Sequence, residues 1–110
     1  MKFDCPYWSM ITRFNMLEDW ILVHSYLYYE LDISVVTDFK FDENSQQLVQ
    51  MMKDYPKDFE KSKYYYAFND FDGSTGYDLC KRLNAKHRLK IEDRVLAILN
   101  LIKNHKVRKL

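Results

Sequence analysis

Positions 14, 17, 21, 24, 28 and 31 carry Phe, Leu, Ile, His, Tyr and Leu, a three- and four-residue rhythm that defines one face of a helix. Trp20, Val23 and Leu27 widen that face, so the pattern predicts a mostly buried first helix over about residues 10–31, with Ser9 as its N-cap. Asp32-Ile33-Ser34-Val35-Val36 is too short for an element of its own and reads as an extended crossing. Thr37 is a good N-cap and Asp38 suits a first turn. Phe41, Leu48, Met52 and Tyr55 then mark the inner face of a second helix over about 38–54, which must stop before Pro56. Residues 57–72 stay open between a short strand and tyrosine-packed helical turns. Asp70–Gly76 is a clear loop and holds both glycines. Ser74 or Thr75 caps a short helix over about 75–83, and Ile91, Val95, Ile98 and Ile102 define a last amphipathic helix over about 88–105. The expected fold is a mainly α single domain spanning 1–110, an antiparallel helix pair covered by two C-terminal helices.

Composition supports this reading. A chain of 110 residues that is 47% hydrophobic and 30% charged fits one folded core, and two Gly and two Pro leave little material for hairpins. No apolar run approaches the roughly 20 residues of a membrane span. Met1–Pro6 carries an acid and no apolar stretch, so it does not read as a signal peptide. Cys5 and Cys80 are two unclustered thiols of the reduced kind, and a cytoplasmic protein is expected.

The net charge of +1 hides an asymmetry. Residues 1–80 hold seven Lys and Arg against fourteen Asp and Glu, a balance of −7, whereas residues 81–110 hold ten against two, a balance of +8. Lys81, Arg82, Lys86, Arg88, Lys90 and Arg94 form a dense basic run. It suits salt-sensitive contacts to nucleic acid or an acidic protein partner, or a solvated face that neutralises the acidic body, and the last is the simpler reading.

The stretch Tyr26–Asp42 is the most informative chemically. It gathers Tyr28, Tyr29 and Phe41 with Asp38 and Asp42 at the bend between the two predicted helices. Asp38 and Asp42 are four apart and share a helix face. Their mutual repulsion of roughly 0.2–0.5 kcal/mol is offset by about 0.3–1 kcal/mol each from the helix dipole. The acid pair alone therefore demands no ligand. With aromatic faces beside it, it is chemically suited to a cationic ring.

The run from Tyr26 to Asp42, with Tyr28 ending the first helix and Asp38-Phe39-Lys40-Phe41-Asp42 opening the second, fits without a gap and resembles the N-terminal Ia domain of bacterial NAD-dependent DNA ligases, the part that grips the nicotinamide mononucleotide (NMN) half of NAD. The resemblance covers roughly residues 12–56. In that family a His usually follows the first Tyr, where this chain has Tyr29. The second helix opens Asp-x-x-Tyr-Asp, where this chain has Phe41. The resemblance implies a helix pair and a nicotinamide site lined by Tyr28, Tyr29, Asp38, Phe41 and Asp42, weakened by the two departures. The Lys-x-Asp-Gly motif whose lysine takes AMP is absent, so a non-catalytic accessory or regulatory module is expected, with NMN or NAD as a weak ligand. The alternative is an interaction module or inhibitor, of the kind a phage carries, that has lost nucleotide binding.

Other motifs carry less. Asp70-Phe71-Asp72-Gly73-Ser74-Thr75 imitates a phosphatase nucleophile loop, but that chemistry also needs a later lysine and distant acids for magnesium, and the residues after Asp72 read as basic and helical, so an Asp-Gly turn is the simpler reading. As an EF-hand the same loop puts Thr75 at the required glycine and Lys81 at the required bidentate acid, so calcium binding of that type is not expected. His24 reads as a packed core histidine. His87 and His105 stand apart from any Cys at ligand spacing, and no metal site is expected.

Overall fold

Two of the N-caps read from the sequence, Ser9 and Thr37, are present in the computed structural model, which describes residues 8–74 and 76–109, with side chains described through Lys103. Cys5, Thr75 and the side chain of His105 lie outside the described residues. Ser9 Oγ accepts the Thr12 N–H at 3.1 Å and opens α1, Met10–Ser25. A π turn, Tyr26–Glu30, continues it. Thr37 Oγ1 accepts the Lys40 N–H at 3.0 Å and opens α2, Asp38–Asp54. Pro56 ends α2 and takes the first position of α3, Pro56–Glu60, where its missing N–H is harmless. The open stretch resolves as α3, a turn and α4, Tyr65–Phe68. In place of the expected 75–83 helix stands a turn with one 3₁₀ segment, Cys80–Arg82. The buried Gly76 sits against the Ser25 hydroxyl, and the chain there follows the surface of α1 instead of coiling on itself. The last helix, α5, Ala85–Lys109, is longer at both ends than the pattern predicts. Asn84 caps it by accepting the His87 N–H at 2.8 Å.

Among the described residues there are five helices and no strand, and no helix is long and apolar enough to cross a membrane. α1 is the centre, with α2, α3 and α5 packed on it. Phe14, Leu17, Ile21, Leu22 and Leu27 are fully buried with Leu48, Phe68 and Ile91, and each such side chain stabilises by about 1.5–3 kcal/mol.

One member of this core is an acid. Glu18 is fully buried on α1 and fastens the 61–64 turn: its Oε1 accepts the Tyr64 N–H at 3.2 Å, and its Oε2 lies 2.7 Å from Ser62 Oγ. Ser62 Oγ is also 2.7 Å from the Phe59 carbonyl. One hydroxyl proton cannot serve both acceptors. With Glu18 charged, the Ser62 hydroxyl donates to Oε2; once Glu18 is protonated, its carboxyl donates to Ser62 Oγ and frees that hydroxyl for the Phe59 carbonyl. Burial pushes the Glu18 carboxyl from 4.5 up to about 7, against the lowering effect of its two hydrogen bonds.

The folded state therefore holds this proton more tightly than the unfolded chain. Stability falls as pH rises from about 4.5 to about 7, by up to about 3 kcal/mol from this group. Glu18→Gln supplies a permanent donor to Ser62 and keeps an acceptor for Tyr64. Urea denaturation from pH 4.5 to 8 should show the variant gaining on the wild type across that window and matching or exceeding it above pH 7.

Candidate functional site

The site is made by a break in helical register. A regular α1 would carry Tyr28 along the buried line of Phe14, Leu17 and Ile21. The π turn closes with i to i+5 bonds and is wider, so that line is lost. Leu27 is buried completely, whereas Tyr28 is 47% exposed, which corrects the expectation that Tyr28 lies on the buried stripe. Contacts from α5 brace the turn. The Tyr26 hydroxyl donates to Glu92 Oε2 at 2.9 Å, and the Arg88 guanidinium lies over the Tyr26 ring at 5.7 Å. Arg88 also pairs with Glu92 at 3.5 Å, reaches Glu30 at 4.0 Å and donates to the Cys80 carbonyl at 3.2 Å. Beyond the turn, the Ile33 N–H bonds the Leu27 carbonyl at 2.8 Å. Asp32 adopts φ +57°, a left-handed conformation that Asp tolerates better than most residues.

The chain so bent encloses a cleft of about 280 Å³ lined by His24, Tyr28, Tyr29, Ile33, Ser34, Val35, Val36, Asp38, Phe41, Asp42, Gly73 and Ser74. All five residues singled out by the sequence, Tyr28, Tyr29, Asp38, Phe41 and Asp42, are among them. The rings at the cleft form two groups, with Trp20 behind the lining. Tyr28 and Tyr29 meet edge-to-face at 4.8 Å, Phe41 lies 6.1 Å from Trp20, and Trp20 lies 4.4 Å from His24. Asp38 and Asp42 bring two carboxylates from the first turns of α2. Burial holds the His24 imidazole below its ordinary range and so favours the neutral ring. None of the described lining residues is a Lys or Arg.

Sequence reasoning missed His24, the 33–36 crossing and the Gly73–Ser74 corner as parts of this wall. The extended, β-branched Val35-Val36 hinted at a flat apolar surface. Nothing local tied Gly73 to α2. It adopts φ +84°, and its carbonyl accepts from Gln46 Nε2 at 3.5 Å. The loop's acids are engaged: Asp70 pairs with Arg82, and Asp72 accepts the Ser74 N–H at 2.9 Å. Among the described residues no group of three or more His, Cys, Asp or Glu gathers as a metal cluster would require. The Cys80 thiol is buried, donates to the Leu22 carbonyl at 3.3 Å and is pushed by burial up to about 12, which removes it as a nucleophile.

The six basic residues divide. Arg82 pairs with Asp70 and with Asp78 at 3.0 Å, Arg88 is engaged as above, and Arg94 pairs with Asp19 at 2.8 Å. These three arginines tie the acidic body to the basic end. Lys81, Lys86 and Lys90 are exposed. Lys81 stands over the Tyr77 ring at 4.4 Å. Lys86 and Lys90, with Lys63, surround His87. Burial and then these ammonium groups hold its imidazole below the ordinary range. His87 Nδ1 lies 2.7 Å from the Tyr66 hydroxyl.

Compared with family models, curated proteins and solved structures, the chain finds no match.

A Cβ on Gly73 would stand 2.7 Å from Gln46 Nε2 and 3.2 Å from Val49 Cγ2, on a backbone that L residues avoid. Gly73→Ala should therefore cost about 1–3 kcal/mol in chemical denaturation. The amide signals of Gln46 and the cleft-side residues of α2 should shift with it.

Proposed function

We propose that this chain is a non-catalytic module related to the N-terminal domain of NAD-dependent DNA ligases, and that its cleft binds the nicotinamide ring of NMN or NAD. The observation that carries the reading is the convergence of Tyr28, Tyr29, Phe41, Asp38 and Asp42 on one cleft of about 280 Å³. The nicotinamide ring of NAD is cationic. An aromatic face attracts such a ring by about 0.5–2 kcal/mol, and two nearby carboxylates add to it. The apolar crossing of Ile33, Val35 and Val36 offers the ring a flat surface, and Ser34 and Ser74, whose hydroxyl protons go to the Val36 carbonyl and to Asp72, offer hydroxyl oxygens that can accept from a carboxamide or ribose. Tyr29 and Phe41, where the ligases carry His and Tyr, each lose a polar contact, which favours weak and readily reversible binding. A regulatory or accessory role in the cytoplasm fits that affinity.

A second reading rests on a different observation. Lys63, Lys86 and Lys90 crowd around His87 beside the exposed ring of Tyr66, an arrangement suited to phosphates and a stacked base. On that reading the chain is an interaction module for nucleic acid, or for an acidic protein, and the cleft has lost its ligand.

Calorimetric titration separates the two. The first reading expects NMN and NAD to bind with Kd near 1 mM or tighter, which corresponds to about −4 kcal/mol. Tyr28→Ala and Asp38→Ala should each weaken binding by about 2- to 30-fold. The paired change Tyr29→His with Phe41→Tyr should tighten it. Silence from both nucleotides, with salt-dependent retention of single-stranded DNA that Lys86→Gln and Lys90→Gln abolish, would establish the second reading instead.

A further inference from the structure

The charge of the cleft suits only half of a nicotinamide nucleotide. Its described lining carries Asp38 and Asp42 and no Lys or Arg, so it attracts the cationic ring and repels the phosphate. A cation for the phosphate has to come from beside the cleft. Tyr29, part of the cleft wall, packs edge-on against Tyr77 at 5.5 Å, and the Lys81 ammonium sits 4.4 Å above the Tyr77 ring. Tyr77 is 57% exposed and Lys81 is exposed, so this face is open to solvent next to the cleft. Lys81 also differs from the neighbouring arginines. Arg82, Arg88 and Arg94 are held by carboxylates, whereas among the described residues no carboxylate lies within ion-pair distance of Lys81.

We propose that Lys81 is the phosphate-reading residue of this site. The ring lies among Tyr28, Tyr29 and Phe41, and the ribose carries the phosphate out over Tyr77 to the Lys81 ammonium. Tyr77 acts as a positioning residue that keeps the flexible lysine stem at the cleft edge. This inference rests on the nicotinamide reading and adds to it a preference: the site distinguishes a nucleotide from the corresponding nucleoside through one side chain that lies outside the cleft.

The test compares NMN with nicotinamide riboside, which has the same ring and sugar and no phosphate, by calorimetry on the full chain. Wild type should bind NMN more tightly than the riboside. Lys81→Gln should weaken NMN by about 5- to 10-fold and leave the riboside unchanged. Lys81→Arg should restore most of the loss. Lys86→Gln removes the same charge from the cluster around His87 and should change neither ligand. Equal affinity of wild type and Lys81→Gln for NMN overturns the proposal, as does parallel weakening of both ligands. If in those cases the riboside still binds and Tyr28→Ala still weakens it, the nicotinamide reading survives without Lys81. Failure of both ligands to bind wild type overturns both.

Discussion

The hydrogen bond from the Tyr26 hydroxyl to Glu92, backed by Arg88, is the contact on which the cleft depends. A π turn is a rare conformation with poorer local geometry than an α turn, and it persists where other contacts hold it. Here α5 supplies them, 66 residues away along the chain from Tyr26 to Glu92. A hydrogen bond to a charged group is worth about 1.5–3 kcal/mol, comparable to the cost of a strained local conformation. Without the brace, a regular helix would carry Tyr28 back toward the Ile21 face, and the tyrosine wall of the cleft would dissolve. The last helix therefore acts at a distance from the cleft, by fixing the register of the first.

The same helix resolves the charge asymmetry of the sequence. The acidic body and basic end meet across the surface of the same molecule, through Arg94 with Asp19 and Arg88 with Glu30. Pairs this exposed contribute little stability individually. Their effect is on distribution: they engage Arg88 and Arg94, while among the described residues no ion pair holds Lys81, Lys86 or Lys90. The surface is thus sorted into an acidic, aromatic cleft and separate lysine positions at Tyr77 and around His87.

Much of this was legible locally. Ser9 and Thr37 announced the helix starts because a capping hydroxyl acts over three residues, and Pro56 announced the end of α2 because its ring forbids continuation. The five cleft residues were legible because they lie within fifteen positions of one another across a single bend. Features that depend on distant partners were not. The π turn is set by α5, and Gly73 is set by Gln46 on α2. Glu18 follows Leu17 at a position that reads as an ordinary polar helix site, and its burial is decided by Ser62 and Tyr64, in the stretch whose structure the pattern left open.

The most direct test of the account is a two-dimensional NMR titration of the wild-type chain with NMN, following both partners. The account predicts that the nicotinamide ring protons move upfield as they meet aromatic faces. It also predicts that the largest amide shifts fall at Tyr28, Tyr29, Asp38 and Gly73, on both sides of the bend. Shifts confined to the lysines of α5, or a spectrum unmoved at ligand concentrations above 10 times the roughly 1 mM affinity expected, would contradict it.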